Sequence, residues 1–260
     1  MSGIKYRKCS NMPLALITGG AKRIGATVAV RLAKAGFDIA LHVNQSSIEG
    51  KLLIDTIHQY GVRAQVFCLD LNLLGEIESM FDNIHKSMGP IDVVVNNASM
   101  FAYDSPDTLD YVTAEQQLRV NLLAPAEITR CLARDCTSTA LVINMLDNKL
   151  FALNPDYFSY TLSKAGLKSA TEMMAMKFAG KLRINAIAPG ITLQSGEQSQ
   201  ENFEQGHENS LSGTGATPDE IADTVLFMWN TKSINGETII LDGGQRLLRL
   251  NRDVAFLGDQ

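Results

Sequence analysis

Short apolar runs alternate with stretches of helical spacing along nearly the whole chain, and that alternation restricts the fold more than any other feature. The first run, Leu14 to Thr18, stops at Gly19 and Gly20, and Arg23 to Ala35 then places Ile24, Val28, Val30, Leu32 and Ala33 at helical intervals. A buried strand that turns through glycines into a helix is the entry unit of a nucleotide-binding βαβ fold. Its glycines let backbone N–H groups approach a pyrophosphate, and the helix N-terminus adds a positive dipole. The strict G-x-G-x-x-G spacing is absent, so a plain strand-to-helix turn fits this stretch equally well when it is taken alone.

The unit then repeats. Strands are predicted at Asp38–Val43, Ala64–Cys68, Ile91–Val95, Ala140–Met145, Leu182–Ala188 and Glu237–Leu241. Helices are predicted at Ser47–Tyr60, Leu74–Ser87, Ala114–Asp135 and Pro218–Trp229, with a further one from Asn154 and Pro155, as N-cap and first position, to a C′ residue at Gly180. This pattern predicts an α/β fold, a doubly wound parallel sheet with helices on both faces, which binds ligands beyond the carboxyl ends of its strands. The residues with chemistry to offer fall at those ends: Thr18 to Gly25, Asn44, Asp70, Asn97, Asp147 and Pro189. The polar stretch Gln194 to Ala216 lacks either period and reads as a mobile loop, a lid over substrate or a solvated insertion.

Composition narrows the function. With 260 residues and no linker, the chain is read as one domain over 1–260. A net charge of -5 without a basic stripe argues against a nucleic-acid partner, and no apolar run approaches a membrane span. Cys9, Cys68, Cys131 and Cys136 show no paired spacing, which suggests reduced thiols, a cytoplasmic location and no metal site.

Tyr160 and Lys164 lie one turn apart on a shared helix face. A lysine ammonium about 4 Å from a phenol, at an effective dielectric of ~20, would favour the phenolate by about 4 kcal/mol, roughly three pKa units. The expectation is a Tyr160 that titrates close to neutrality and passes a proton.

These pieces, Thr18-Gly19-Gly20-Ala21-Lys22-Arg23-Ile24-Gly25, Asp70, Asn96-Asn97-Ala98, Asn121, Tyr160-x-x-x-Lys164, Pro189-Gly190 and Asp242-Gly243-Gly244, together resemble the short-chain dehydrogenase/reductase family, with its Rossmann-like fold. The resemblance implies Tyr160 as proton donor, Lys164 as the group that holds the nicotinamide ribose, and Asn121 as the residue that positions a relay water. It implies dinucleotide contacts from Gly19, Lys22, Arg23, Ile24, Gly25, His42, Asn44, Ser46, Asp70, Leu71, Asn97, Ala98, Ser99, Pro189 and Gly190, as well as from Tyr160 and Lys164. It also implies a homotetramer or dimer.

Two departures sharpen the resemblance. Asp147 stands thirteen positions before Tyr160, where the family usually has Ser, and Arg23 replaces the central glycine of the phosphate loop. With Asn97-Ala98-Ser99-Met100-Phe101, they look like the pteridine reductase and dihydromonapterin reductase branch. There the Asp works with the Tyr, and the aromatic stacks a pterin against the nicotinamide. Those roles fall to Asp147 and Phe101, with Ser99 as a polar neighbour. Phe101 as local core is the competing reading. Burial should raise the pKa of Asp147 and Lys164 should lower it, and sequence does not decide between them.

No acid follows the second strand, where Asn44, Gln45 and Ser46 stand, and Lys22 and Arg23 offer charge for a 2′-phosphate, so NADP(H) is the expected cofactor. His42 is a contact or an interior residue, and Ser46 a phosphate donor or an N-cap. The expected activity is NADPH-dependent reduction of a dihydropterin, with dihydrofolate as a further substrate. A carbonyl or 3-oxoacyl thioester reductase is the second reading, and a nucleotide-sensing protein without catalysis the third.

Overall fold

The computed structural model describes residues 12–136, 138–194, 207 and 210–253. Most of the predicted loop at 194–216 falls outside the described residues. Seven strands form one parallel sheet: β1 (Leu14–Ile17), β2 (Asp38–Val43), β3 (Ala64–Cys68), β4 (Val93–Asn96), β5 (Ala140–Met145), β6 (Leu182–Pro189) and β7 (Thr238–Leu241), in the spatial order β3-β2-β1-β4-β5-β6-β7. Every residue of β1, β2, β4, β5 and β6 is buried, which is why these strands read as predominantly apolar runs, broken by the buried Asp38, His42, Asn96, Asn144, Arg183 and Asn185. Alternation across β1 sends Leu14 and Leu16 to one core and Ala15 and Ile17 to the other. The first core is closed by α3 (Ile77–Met88), α5 (Ala124–Asp135) and the end of α6 (Phe158–Lys177). The second is closed by α1 (Arg23–Lys34), α2 (Ser47–His58) and α7 (Pro218–Asn230).

From β1 the chain builds outward through β2 and β3, then crosses back to β4 on the other side. Strand order reverses between β1 and β4, so the connections that leave their carboxyl ends run to opposite sides and leave a crevice. The glycine turn after β1 and the Asn97–Phe101 segment after β4 both open onto it. Among the described residues Cys68, Cys131 and Cys136 are free thiols, and no helix is long and apolar enough to cross a membrane.

Two helices differ from expectation, each for a local reason. The predicted helix Ala114–Asp135 is divided into α4 (Tyr111–Leu118), a π-turn at Arg119–Leu123, and α5. Pro125 has no N–H to donate and its ring crowds the carbonyl four residues back, at Asn121, so the wider turn relieves it. The helix expected from Asn154 begins instead at Phe158, after Tyr157 in the left-handed region (φ 53°). Asn154 accepts from the Asp156 N–H in a local turn, and the start of α6 is capped from elsewhere. Buried Asp104 takes the Ser159 N–H at 2.9 Å and the Ser159 hydroxyl. At the other end α6 stops at Lys177 with Phe178 as C-cap, so Gly180 (φ 84°), expected at C′, lies one position beyond it.

Candidate active site

A cleft of about 880 Å³ runs along the carboxyl ends of the strands. At one end the glycine turn is held from three directions. Asn97 Nδ2 donates to the carbonyls of Thr18 and Gly19 at 3.0 and 3.1 Å. Thr18 Oγ1 accepts from the N–H groups of Asn97 and Ala98. Beneath the turn, the Gly19 N–H donates to His42 Nδ1 at 3.2 Å, which leaves the proton on Nε2 to be donated to the Leu69 carbonyl at 3.0 Å. Burial pushes His42 down to about 4, so it is a neutral strut with both nitrogens committed and offers no charge to a phosphate.

Space here is tight. A Cβ on Gly25 would lie 2.5 Å from the Gly19 oxygen, which is backbone, and 2.6 Å from Asn97 Nδ2, which two hydrogen bonds hold in place. Gly25→Ala should cost about 1–3 kcal/mol of stability and weaken dinucleotide binding, read by thermal melting and by ligand titration. An unchanged melting temperature with normal binding would contradict the packing described.

The two basic residues of the turn are already engaged. Arg23 adopts φ 53° and its guanidinium donates to the carbonyls of Gln194 (2.9 Å) and Leu193 (3.4 Å), so it braces the segment after β6. Lys22 Nζ pairs with Glu49 at 2.7 Å. Ser46 occupies the N-cap of α2 but its side chain makes no capping bond and lines the cleft with Asn44, Asp70 and Leu71.

At the other end the Tyr160 hydroxyl donates to Asp147 Oδ2 at 2.9 Å, and Asp147 Oδ1 accepts the Lys149 N–H at 2.9 Å. Lys164 Nζ donates to the Met145 carbonyl at 2.8 Å and lies 5.6 Å from the Tyr160 ring centre. Burial, then the neighbouring Asp147, holds Tyr160 well above the usual phenol range, which overturns the expectation of a phenol titrating near neutrality. The group hydrogen-bonded to that hydroxyl is a carboxyl and not the ammonium, and desolvation opposes the phenolate. Burial also raises Asp147, against the pull of the Lys149 N–H, Tyr160 and Lys164, which decides the contest left open by sequence. The result is a phenol and a carboxyl joined by one hydrogen bond, both biased towards holding their protons.

Burial lowers Lys164 from 10.5 to about 8. Between those values the unfolded chain binds more protons than the folded one, so this group's contribution to stability rises with pH through that window and is least favourable below it. Lys164→Met should therefore be more stable at neutral pH, by about 1–3 kcal/mol, and should lose that rise. Denaturation measured from neutral to alkaline pH reads both effects, and a destabilised Met variant would contradict the assignment.

Phe101 is 46% exposed, stacks on Tyr157 (4.2 Å between centres, 18°) and meets Tyr160 edge-on at 4.7 Å, so it is a cleft wall and not local core. Every sequence-predicted site residue lines the cleft except Asn121. Asn121 is fully buried behind the wall. Its Oδ1 accepts from the Met100 N–H and Ser99 Oγ, and its Nδ2 donates to the Met100 carbonyl and Ser163 Oγ. That uses the side chain's full hydrogen-bonding capacity, and Asn121 clamps the Ser99–Met100 segment to α6. Sequence reasoning missed Lys149, Tyr157, Gln245, Arg252 and Asp253, which also line the cleft. Tyr157 was within reach, three positions before Tyr160 on the same chain segment; the C-terminal residues carried no signal.

The architecture and this constellation have clear relatives. A family model described as enoyl-(acyl carrier protein) reductase matches residues 19–246. The crystal structure of FolM, alternative dihydrofolate reductase 1, from Brucella canis complexed with NADP has a TM-score of 0.85 and 36% identity, over 90% of this chain and 94% of that one. The chain is a short-chain dehydrogenase/reductase. This short-chain reductase is also 24% identical to pteridine reductase 1 of Leishmania tarentolae, over 91% of its own length and 97% of the relative's. It is 29% identical to the 3-oxoacyl-[acyl-carrier-protein] reductase FabG of Aquifex aeolicus, over 89% and 96%.

Proposed function

We propose that this short-chain reductase uses NADPH to reduce the C=N of a dihydropterin, or of dihydrofolate, to the tetrahydro form. The observation that carries the reading is the 2.9 Å hydrogen bond from Tyr160 to a carboxyl group biased towards its protonated form. A ketone needs only a neutral donor at its oxygen. A ring imine takes hydride on carbon and a proton on nitrogen, for which a protonated carboxyl group linked to a phenol is well suited.

The chain's own residues fit the cofactor. The glycine turn leaves no room for a Cβ at Gly25, and its backbone, Asn97, Lys164 and Pro189-Gly190 border the cleft. No acid stands at the end of β2 to favour a ribose 2′-hydroxyl. Lys22 is on the rim, and its ion pair with Glu49 is solvent-exposed and worth only about 0–1 kcal/mol, so it opens readily to a 2′-phosphate. NADPH supplies the hydride when bound. Asp147 and Tyr160 would hold the proton and give it to the ring nitrogen, and Lys164, fixed to the Met145 carbonyl beside them, would help to hold the dinucleotide.

The names of the Brucella and Leishmania proteins support a pterin or dihydrofolate substrate. The Aquifex relative favours the second reading, a 3-oxoacyl thioester, and Asp147 speaks against it. Phe101→Ala should raise the KM for a dihydropterin about tenfold by loss of an aromatic face, with NADPH affinity retained. Unchanged saturation would reject the platform. Initial rates of NADPH oxidation with dihydromonapterin, dihydrobiopterin, dihydrofolate, simple ketones and a 3-oxoacyl thioester test the proposal as a whole. A thioester or ketone turned over faster than every dihydropterin would overturn it.

A further inference from the structure

Beyond β7 the chain doubles back over the reaction end of the cleft. Asp242 accepts from the N–H groups of Gly244 and Arg246 and from the Arg246 guanidinium, which starts the 3₁₀ turn Gln245–Leu248. Arg249, at φ 50°, then redirects the backbone. Arg252 Nε donates to both oxygens of Asp156, at 3.1 and 2.8 Å, and the Asp253 N–H donates to the same carboxylate at 2.8 Å. Finally Lys149 Nζ donates to Asp253 Oδ2 at 3.1 Å.

Both anchors sit beside the proton-bearing pair. Asp156 immediately precedes Tyr157, and Lys149 is the residue whose N–H already binds Asp147. The Lys149 side chain is 7% exposed and that of Asp156 is 3% exposed, so each carries a desolvation cost that its ion-pair partner on the strap offsets. Lys149 Nζ also lies 5.2 Å from the Tyr157 ring centre, against which Phe101 stacks. One lysine therefore touches the strap, the aromatic wall and, through its backbone, the carboxyl group.

We propose that the C-terminal strap, residues 245–253, is part of the reaction site, with Lys149 and Asp253 as positioning residues that set how firmly the Asp147–Tyr160 pair keeps its proton. The inference rests on reading that pair as the proton donor. The charged and titratable groups facing Asp147 are Tyr160 and Lys164 from α6, Lys149 from its own turn, and Asp253 from the strap. Of these, Asp253 brings negative charge, which favours the protonated carboxyl, and the Lys149 ammonium, paired with Asp253 at 3.1 Å, is placed to offset it. Burial of Asp147 and the Asp253 carboxylate push in the same direction.

The two charges give opposite signs in a test. In the ligand-free protein, the carbonyl stretch of protonated Asp147, assigned by its loss in Asp147→Asn, is followed by infrared spectroscopy across pH. Asp253→Asn should lower the pH at which the band disappears by about one unit, because a negative charge that favours the protonated carboxyl is removed while Lys149 stays. Lys149→Met should raise it by a similar amount, and the double variant should titrate near the parent. The alkaline limb of kcat/KM should move in the same directions. Shifts that are absent, or of the same sign in both single variants, would overturn the proposal. Opposite infrared shifts in a protein that reduces no dihydropterin would leave the strap's role standing and reject the substrate assignment instead, so the two failures are separable.

Discussion

Asp147→Asn lowers kcat for dihydropterin reduction by about 10²–10⁴-fold, the range for loss of a positioned acid, and leaves NADPH binding essentially unchanged. Asparagine keeps the shape of the side chain and one oxygen to accept from the Lys149 N–H, while its amide nitrogen faces the Tyr160 hydroxyl, which can accept from it, so the local geometry survives. What it lacks is a proton to give. The test is therefore of chemistry and not of packing, and steady-state kinetics with a fluorescence titration of NADPH reads both quantities. A variant with near-parental kcat would remove Asp147 from the reaction and return the protein to the generic carbonyl-reducing members of its family.

Tyr160→Phe should cause a loss of similar size, about 10²–10⁴-fold in kcat. The ring remains in place against Phe101, and only the hydroxyl that reaches Asp147 is removed. Because phenol and carboxyl share a hydrogen bond and work as one donor, their effects should not add. The double variant Asp147→Asn/Tyr160→Phe should be about as slow as the slower single variant, as found for groups that act as a unit. Multiplicative losses, measured by the same kinetics, would mean that the two residues act on separate steps.

The sheet was legible in the sequence because its central strands are buried on both faces and so leave predominantly apolar runs such as LALI and ALVINM. The crevice followed from the alternation of strands and helices, and with it the gathering of Gly19, Asn97, Asp147, Tyr160 and Lys164 at one edge. Contacts between distant segments were not legible. The true start of α6 depends on Asp104, which lies 55 positions before Ser159, and the true partners of Arg23 lie more than 160 positions away. The electrostatics of Tyr160 were misjudged for the same reason. Spacing alone shows that Lys164 shares its face, but not that the ammonium turns to the Met145 carbonyl while Asp147 takes the hydroxyl. The C-terminal strap gave no periodic or compositional sign, since its residues enter the cleft through single ion pairs at Asp156 and Lys149.

The most direct test of the central claim is the structure of a ternary complex with NADP and a pterin. A ring nitrogen of the pterin within hydrogen-bonding distance of the Asp147 carboxyl group or the Tyr160 hydroxyl, with its ring against Phe101, is the expected result. A pterin seated away from both side chains, or an Asp147 carboxyl group turned out of the cleft, would contradict it.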